Sequence, residues 1–163
     1  MASGLSIPSA RPARRRMIAV DSGFLFALVD RTDAWHRRAA AQAHTASQGW
    51  ITTWPVLTEV CHLYQRWLSP RQAAELMADV ADGQLAVWDI PLARCHALPP
   101  LMEKYANLPM DLADASLVLL AEHLGHGRIL STDERDFGAY RWKQQHPFDN
   151  LLARDPAPGE VSG

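Results

Sequence analysis

This 163-residue chain is poor in cysteine, nearly neutral in net charge and without a long apolar run. Its two cysteines, Cys61 and Cys95, stand apart in helix-like, largely apolar stretches. That placement favours buried free thiols, excludes a disulfide scaffold or a cysteine-based zinc site, and leads us to expect a reducing cytoplasm. The formal net charge of -2 excludes a strongly basic nucleic-acid binder, so such a ligand would need a local basic surface. No run approaches the roughly 18 apolar residues of a membrane span, which excludes a membrane partner.

The length and the 48% apolar content predict one globular domain, which we place at 17–152. Residues 1–16 are rich in Ser, Ala, Pro and Arg and lack the apolar segment of a secretory signal. We interpret them as a disordered basic leader, or an extension before a start at Met17, with a basic arm that touches RNA as the alternative. Residues 153–163 carry no apolar pattern and are predicted to be a flexible tail.

Short apolar runs alternate with helix-like segments along the domain. Because strands that alternate with helices favour a parallel sheet covered on both faces, we predict a three-layer α/β/α fold with a short, mainly parallel sheet. Glycine and proline mark most boundaries. The predicted strands are 17–21, 50–53, 85–90, 128–130 and 148–152; the predicted helices are 22–30, 34–47, 55–68, 70–82, 91–106, 112–124 and a turn at 134–140.

Two carboxylates follow predicted strands. Asp21 ends the first strand, and Asp133 comes just after the strand at 128–130. Ligands of parallel α/β folds bind outside the carboxyl ends of the strands, so these side chains are expected to share a rim. For both, a helix N-cap is the alternative interpretation. Asp136 is a weaker candidate for the same site, and Ser131 and Thr132 could orient a water or phosphate oxygen or act as caps.

Two more carboxylates border apolar helix faces. Glu59 adjoins a stripe of helical spacing, and its alternative is an ion pair with Arg66. Asp111 and Asp114 lie three apart at a helix start and share a face; capping is favoured for Asp111, whereas Asp114 lies too far into the helix to cap and is favoured as a site residue. The stripe beside Glu59 consists of Val56, Val60, Leu63 and Trp67.

Together, Asp21, Glu59, Asp114 and Asp133 form the pattern of a metal cage without a Cys or His ligand. A buried carboxylate is costly unless positive charge meets it, and oxygen-only ligation suits Mg²⁺ or Mn²⁺. Without a cation the group would repel itself, and at least one member should hold a proton.

Four pieces of the chain resemble a PIN domain of the VapC toxin type over 17–152: MIAVDSGFLFALVD, LTEV, MDLADASLVLLAE and ILSTDERDF. Their order and spacing are more specific than any one piece. The resemblance implies a PIN-like α/β/α fold, with the four carboxylates as the acidic residues of the active site. Asp111 and Asp136 match flanking acidic positions, and Ser22 matches a small hydroxyl residue after the first Asp.

The resemblance further implies an endoribonuclease that uses Mg²⁺ or Mn²⁺, cleaves structured cellular RNA and arrests growth. It also implies a cognate antitoxin protein and a homodimer. Metal-activated water would attack the phosphodiester in line and leave a 5′-phosphate, with the ion held by Asp21, Asp114 and Asp133 and with Glu59 holding the water or a second ion. Candidate phosphate contacts, each open to interpretation as a solvated charge, are Arg31, Arg37, Arg38, Arg66, Arg135, Arg141 and Lys143.

Most tryptophans fall in apolar segments and are expected in the core or a dimer interface, while Trp142 is a candidate for base stacking.

Three alternative functions also fit the sequence. They are a phosphatase-like hydrolase with Asp21 as nucleophile, a non-catalytic PIN-like binding platform, and an RNA-processing PIN nuclease that is not a toxin. Gly23 counts against the phosphatase, which usually places its acid two residues after the nucleophile.

Overall fold

A computed structural model describes residues 14–45 and 47–154 of the chain, without the side chain of Thr45. Arg14–Arg16 form a short, exposed 3₁₀ helix directly before the first strand. The predicted leader and tail concern mainly residues 1–13 and 155–163, which lie outside the described residues. In the described part of the chain, no helix combines the length and apolar content needed to cross a membrane.

The strands of the protein are β1 (Ile18–Val20), β2 (Trp50–Thr53), β3 (Leu85–Trp88), β4 (Arg128–Leu130), β5 (Arg141–Trp142), β6 (His146–Pro147) and β7 (Asp149–Asn150). Five of them form a central sheet with order β3-β2-β1-β4-β7, and every neighbouring pair in it is parallel. A separate antiparallel hairpin pairs β5 with β6.

Helices cover both faces of the sheet, which confirms the predicted three-layer α/β/α architecture. The helices are α1 (Ser22–Val29), α2 (His36–Thr45), α3 (Trp54–Trp67), α4 (Pro70–Ala81), α5 (Leu98–Lys104), α6 (Leu112–Leu124) and α7 (Glu134–Ala139). Helix α6 has nine buried residues because nearly all of its faces meet other elements. It contacts β1, β2, α3 and α5.

The register of β1 and β4 positions the site. Val20 pairs with Leu130, so Asp21 and Ser131, the next residues of the two strands, reach the same edge together. The backbone N–H of Asp21 donates to the carbonyl oxygen of Leu130 over 3.1 Å. The convergence predicted for strand ends therefore follows from central parallel pairing.

One secondary-structure prediction was wrong, and one element was missed. The single helix at 91–106 is a 3₁₀ helix, Leu92–Ala97, followed by α5. Proline occupies the first turn of α5, where its missing N–H is tolerated, and the chain changes helix type there. No strand was predicted over 141–147, where the β5–β6 hairpin forms.

The predicted apolar stripe on α3 is wrong at its C-terminal end. Val56 and Val60 are fully buried, but the stripe continues to the buried ring of Tyr64, whereas Trp67 is 64% exposed in the last turn. Trp54, at the other end of α3, is also exposed. The two cysteines are free, as predicted, but half-buried.

Candidate active site

Asp21 lies at the carboxyl edge of the central strand β1 and is the N-cap of α1. Its side chain accepts hydrogen bonds from the backbone N–H of Ser22 over 2.7 Å and from the hydroxyl of Ser131 over 2.8 Å. The residue is only 6% exposed. Burial raises the pKa of Asp21 to about 6, the two hydrogen bonds oppose that rise, and the carboxylates of Glu59 and Asp133 add to it. Asp21 is thus both a cap and a buried acid.

Glu59 is joined to Asp21 through Ser22. The Ser22 hydroxyl donates to Oε2 of Glu59 over 2.8 Å and lies 3.5 Å from Oδ1 of Asp21. The alternative partner, Arg66, instead stands over the ring of Trp67, 5.1 Å from its centroid. Glu59 therefore faces the end of β1 from α3.

Asp114 reaches the same edge from the first turn of α6. Asp111 is the N-cap of that helix, as predicted, and accepts a hydrogen bond from the backbone N–H of Asp114 over 2.8 Å. Oδ2 of Asp114 accepts a hydrogen bond from the hydroxyl of Tyr140 over 3.1 Å. Burial raises the pKa of Asp114 to about 7, the charges of Asp111 and Asp21 raise it further, and the two hydrogen bonds oppose the rise.

Asp133 and Asp136 differ in their surroundings although both follow β4. Asp133 is the N-cap of α7 and accepts the backbone N–H of Asp136 over 2.9 Å. Burial is the main cause that raises the pKa of Asp133. Asp136 is buried, and its carboxylate pairs with Nε of Arg135 at 2.9 Å. Its charge is therefore compensated within the chain, which makes Asp133 the better candidate for binding an external cation.

Ser131 links the carboxylates of β1 and β4. Its fully buried hydroxyl donates to Asp21 and accepts the backbone N–H of Asp133 over 3.0 Å. Thr132, the next residue, packs against the start of α1: a Cβ added to Gly23 would lie 2.1 Å from its Oγ1. Glycine at position 23 thus permits the close approach of α1 to the segment that carries Asp133.

Two residues that support this arrangement, Asn150 and Tyr140, were not predicted from the sequence. The side-chain amide of Asn150 in β7 accepts from the backbone N–H of Ser131 over 3.2 Å and donates to its carbonyl oxygen over 2.9 Å. Tyr140 bonds Asp114 as described. No sequence pattern around either residue indicated a role in the site, since Asn150 lies in a predicted edge strand and the ring of Tyr140 fits an apolar turn.

We name the side chains of Asp21, Glu59, Asp114 and Asp133 the carboxylate edge. Among the described residues, no Lys or Arg forms an ion pair with Asp21, Glu59 or Asp114. Within 14–45 and 47–154, no three Asp, Glu, His or Cys side chains converge into a ready-made metal cluster. Ser22 instead joins Asp21 to Glu59, and Ser131 joins Asp21 to Asp133, by hydrogen bonds. Asp114 interacts with Asp21 through charge. Asp21 is buried and the other three are half-buried. The all-oxygen chemistry of the four side chains, and the lack of a cationic partner for Asp21, fit a hard divalent ion.

The architecture has a counterpart among solved structures. No protein-family model and no curated protein matches the sequence. The crystal structure of VapC20 from Mycobacterium tuberculosis, described as a toxin that cleaves the sarcin–ricin loop, is similar with a TM-score of 0.67 and 19% sequence identity. The similarity covers 72% of this chain and 91% of VapC20. The chain has a VapC-type PIN fold.

This PIN fold confirms the resemblance predicted from the four sequence pieces. At such an identity the similarity establishes the fold, while the roles of individual residues rest on contacts within this chain. Those contacts bring Ser22, Ser131 and the carboxylate edge into one hydrogen-bonded and electrostatically coupled region. Asp111 serves as a cap, Thr132 packs against Gly23, and Asp136 is paired with Arg135.

Proposed function

We propose that this protein is an endoribonuclease dependent on Mg²⁺ or Mn²⁺ and the toxin of a type II toxin–antitoxin pair, active on structured cellular RNA. The observation that carries the proposal is the environment of Asp21. Its carboxylate is buried at the end of the central strand, is coupled to Glu59 and Asp133, and has no Lys or Arg partner among the described residues. Buried acids without a cationic partner are costly, which favours a site that receives a cation.

The position of each carboxylate determines its proposed role. Asp21, Asp114 and Asp133 would hold the ion from the ends of β1, α6 and the β4–α7 connection. When bound, a divalent ion lowers the pKa of water and stabilises charge on the phosphate. Glu59, held by the Ser22 hydroxyl, would accept or orient the proton of the attacking water. The hydrogen bond from Ser131 favours the ionised form of Asp21 and orients its carboxylate. Attack by water makes the RNA 2′-hydroxyl dispensable and leaves a 5′-phosphate.

The substrate and partners follow from the PIN fold by analogy. VapC20 is described as cleaving the sarcin–ricin loop, which supports structured RNA as the substrate class. A cognate antitoxin protein would cover the site in a cytoplasmic complex, and a homodimer is the proposed assembly. Trp54 and Trp67, exposed at opposite ends of α3, support a protein partner because large exposed aromatic side chains are enriched at interfaces.

The deciding experiment compares the wild type with Asp21→Asn after removal of any co-purifying antitoxin. With Mn²⁺, the wild type should cut structured RNA and leave 5′-phosphate ends, and induction in cells should arrest growth. Asp21→Asn should do neither. Glu75→Gln is the matched control, since Glu75 is an exposed acid of α4 paired with Arg71. Absence of cleavage by a folded, antitoxin-free wild type would overturn the proposal.

The same experiment separates the rival functions. Cleavage in vitro without growth arrest would favour an RNA-processing nuclease, and partner binding that is unaffected by Asp21→Asn with no cleavage would favour a binding platform. A covalent aspartyl phosphate on Asp21 would favour the phosphatase. The surroundings of Gly23 count against that last outcome, because the position of a phosphatase acid has no side chain and faces Thr132.

A further inference from the structure

Tyr140 links the end of α7 to Asp114 of α6 by a hydrogen bond. The residue is fully buried and directly follows α7, the helix that Asp133 caps. Its ring contacts Tyr105 and Phe137 edge to face, at centroid distances of 5.0 Å and 5.3 Å. These contacts fix the ring, and the hydroxyl then reaches Oδ2 of Asp114 over 3.1 Å. The phenol is thus aimed at the carboxylate edge from the core side.

We propose that Tyr140 is a positioning residue for divalent-ion binding, which holds one oxygen of Asp114 by a hydrogen bond and sets the orientation of the carboxylate toward Asp21. The inference rests on the proposed function, because it concerns the ion that the carboxylate edge would hold. It differs from the direct ligands in one respect: Tyr140 acts through Asp114 and contacts neither ion nor RNA.

Two observations support a role beyond filling space. A buried tyrosine hydroxyl needs a hydrogen-bond partner, but a backbone carbonyl would serve equally well, as it does for Tyr64 and Leu25 in this chain. Here the partner is instead a carboxylate, whose ionised form a phenol hydrogen bond stabilises. In addition, Asp114 and Asp133 begin different helices, and Tyr140 is the described side chain that joins the two segments by hydrogen bonding.

Tyr105 provides a matched control. It is also buried, lies in the same aromatic cluster and carries a hydroxyl, but that hydroxyl accepts the backbone N–H of Arg141 over 3.0 Å. Tyr105→Phe and Tyr140→Phe therefore each remove one buried hydroxyl and keep the ring. Only the second change removes a hydrogen bond to a carboxylate of the site.

The test measures Mn²⁺ affinity by calorimetry and stability by thermal melting without metal. Loss of a residue that hydrogen-bonds a metal-binding carboxylate, without touching the ion, typically weakens metal affinity about 10- to 100-fold. We expect a loss of this size for Tyr140→Phe. Tyr105→Phe should change the affinity by no more than about twofold, whatever it does to the melting temperature. Excess Mn²⁺ should restore RNA cleavage by Tyr140→Phe but not by Asp114→Asn.

The outcomes are distinguishable. If the wild type binds Mn²⁺ and cuts RNA while Tyr140→Phe binds Mn²⁺ equally well, the positioning role is overturned and the proposed function stands. Equal losses of affinity in both phenylalanine variants would also overturn it, because a general packing defect would explain them. If the wild type neither binds Mn²⁺ nor cuts RNA, the proposed function and this inference fall together.

Discussion

Ser131 donates a 2.8 Å hydrogen bond to Asp21 across the junction of two neighbouring parallel strands. Both residues are buried, so this bond favours the ionised form of Asp21 in a setting that otherwise disfavours it. The same hydroxyl accepts the backbone N–H of Asp133. One small side chain therefore favours the ionised form of one acid and binds the backbone of another.

Ser131→Ala should raise the pKa of Asp21 above about 6, because a hydrogen bond that stabilises the charged form is removed. At pH 8 without metal it should also lower the free energy of unfolding by about 1.5–3 kcal/mol, the usual contribution of a hydrogen bond to a charged group. Carboxyl ¹³C NMR titration and urea unfolding measure the two effects.

Thr52→Val is the control for that variant. The Thr52 hydroxyl is also fully buried and donates to the carbonyl oxygen of Val20 over 2.8 Å, one residue before Asp21. We expect a loss of stability with the titration of Asp21 unchanged. An unaltered pKa of Asp21 in Ser131→Ala would show that the serine does not govern its ionisation.

Without metal, stability should fall as pH rises through the titration of the carboxylate edge. Asp21 and Asp114 have pKa values of about 6 and about 7 in the folded protein, against 3.8 when unfolded. Between pH 3.8 and these folded pKa values the folded state binds more protons than the unfolded state. The resulting contribution to the free energy of unfolding is therefore complete below pH 4 and is lost as the pH rises through about 6 to 7. One pKa unit corresponds to about 1.4 kcal/mol, which gives about 3 kcal/mol for Asp21 alone.

The Asn variants isolate this effect. His123 and His126 have lowered pKa values and therefore contribute the opposite slope, so the difference between the wild type and Asp21→Asn is the useful quantity. In urea unfolding with a chelator, Asp21→Asn should be more stable than the wild type at pH 8 and equally stable near pH 4. Mn²⁺ at pH 8 should stabilise the wild type alone. A less stable Asn variant at pH 8 would contradict self-repulsion within the edge.

Gly23→Ala should destabilise the protein and reduce RNA cleavage. The new Cβ would lie 2.1 Å from Oγ1 of Thr132, so the segment before Asp133 must shift. Gly138→Ala in α7 is the matched control: apart from the adjoining backbone of the helix, no atom of the described residues lies within 4 Å of its added Cβ, and alanine is favoured over glycine in a helix. Melting temperature and cleavage rate should fall for the first variant only.

A double-mutant cycle checks the cause of that loss. Adding Thr132→Ala to Gly23→Ala removes the clashing oxygen and should recover part of the stability. If the two changes are strictly additive, contact between these side chains is not what requires glycine at position 23.

Asp133→Asn and Asp136→Asn should differ although the residues are close neighbours. Asp136 is paired with Arg135, whereas Asp133 is coupled to Asp21. We expect Asp133→Asn to reduce cleavage more than about 100-fold, beyond the usual effect of an outer partner, and Asp136→Asn to reduce it at most about tenfold. Asparagine remains a good N-cap, so α7 should persist in the first variant, as circular dichroism can verify. The reverse order of effects would move the ligand role to Asp136.

The central sheet was predictable because its strands are short apolar runs bounded by glycine, proline and polar residues. Asp21 and Asp133 could be placed at one edge from that pattern alone, since parallel strands align their carboxyl ends. The β5–β6 hairpin could not: its turn uses Lys143 and Gln144 with φ of 45° and 65°, where glycine or asparagine is the usual signal. The alternating apolar pattern of a strand is also missing there.

The residues that hydrogen-bond and position the carboxylates were harder to predict than the carboxylates themselves. An acidic residue after an apolar run is conspicuous in the sequence, because its burial needs an explanation. Tyr140 is not conspicuous, because its ring fits the apolar pattern and its hydroxyl bonds a residue 26 positions earlier in the chain. Asn150 and Ser131, 19 residues apart, pair in the same way through strands that only the folded sheet brings together.

The pairing of β1 with β4 also determines when the carboxylate edge is complete during synthesis of the chain. Ser131 follows Asp21 by 110 residues in the chain, yet the two are direct hydrogen-bond partners. A nascent chain that has not released β4 from the ribosomal tunnel lacks this partner and Asp133, so it has no complete carboxylate edge. Under the proposed function, RNA cleavage by this protein therefore begins only after β4 and Asp133 have left the tunnel and joined the sheet.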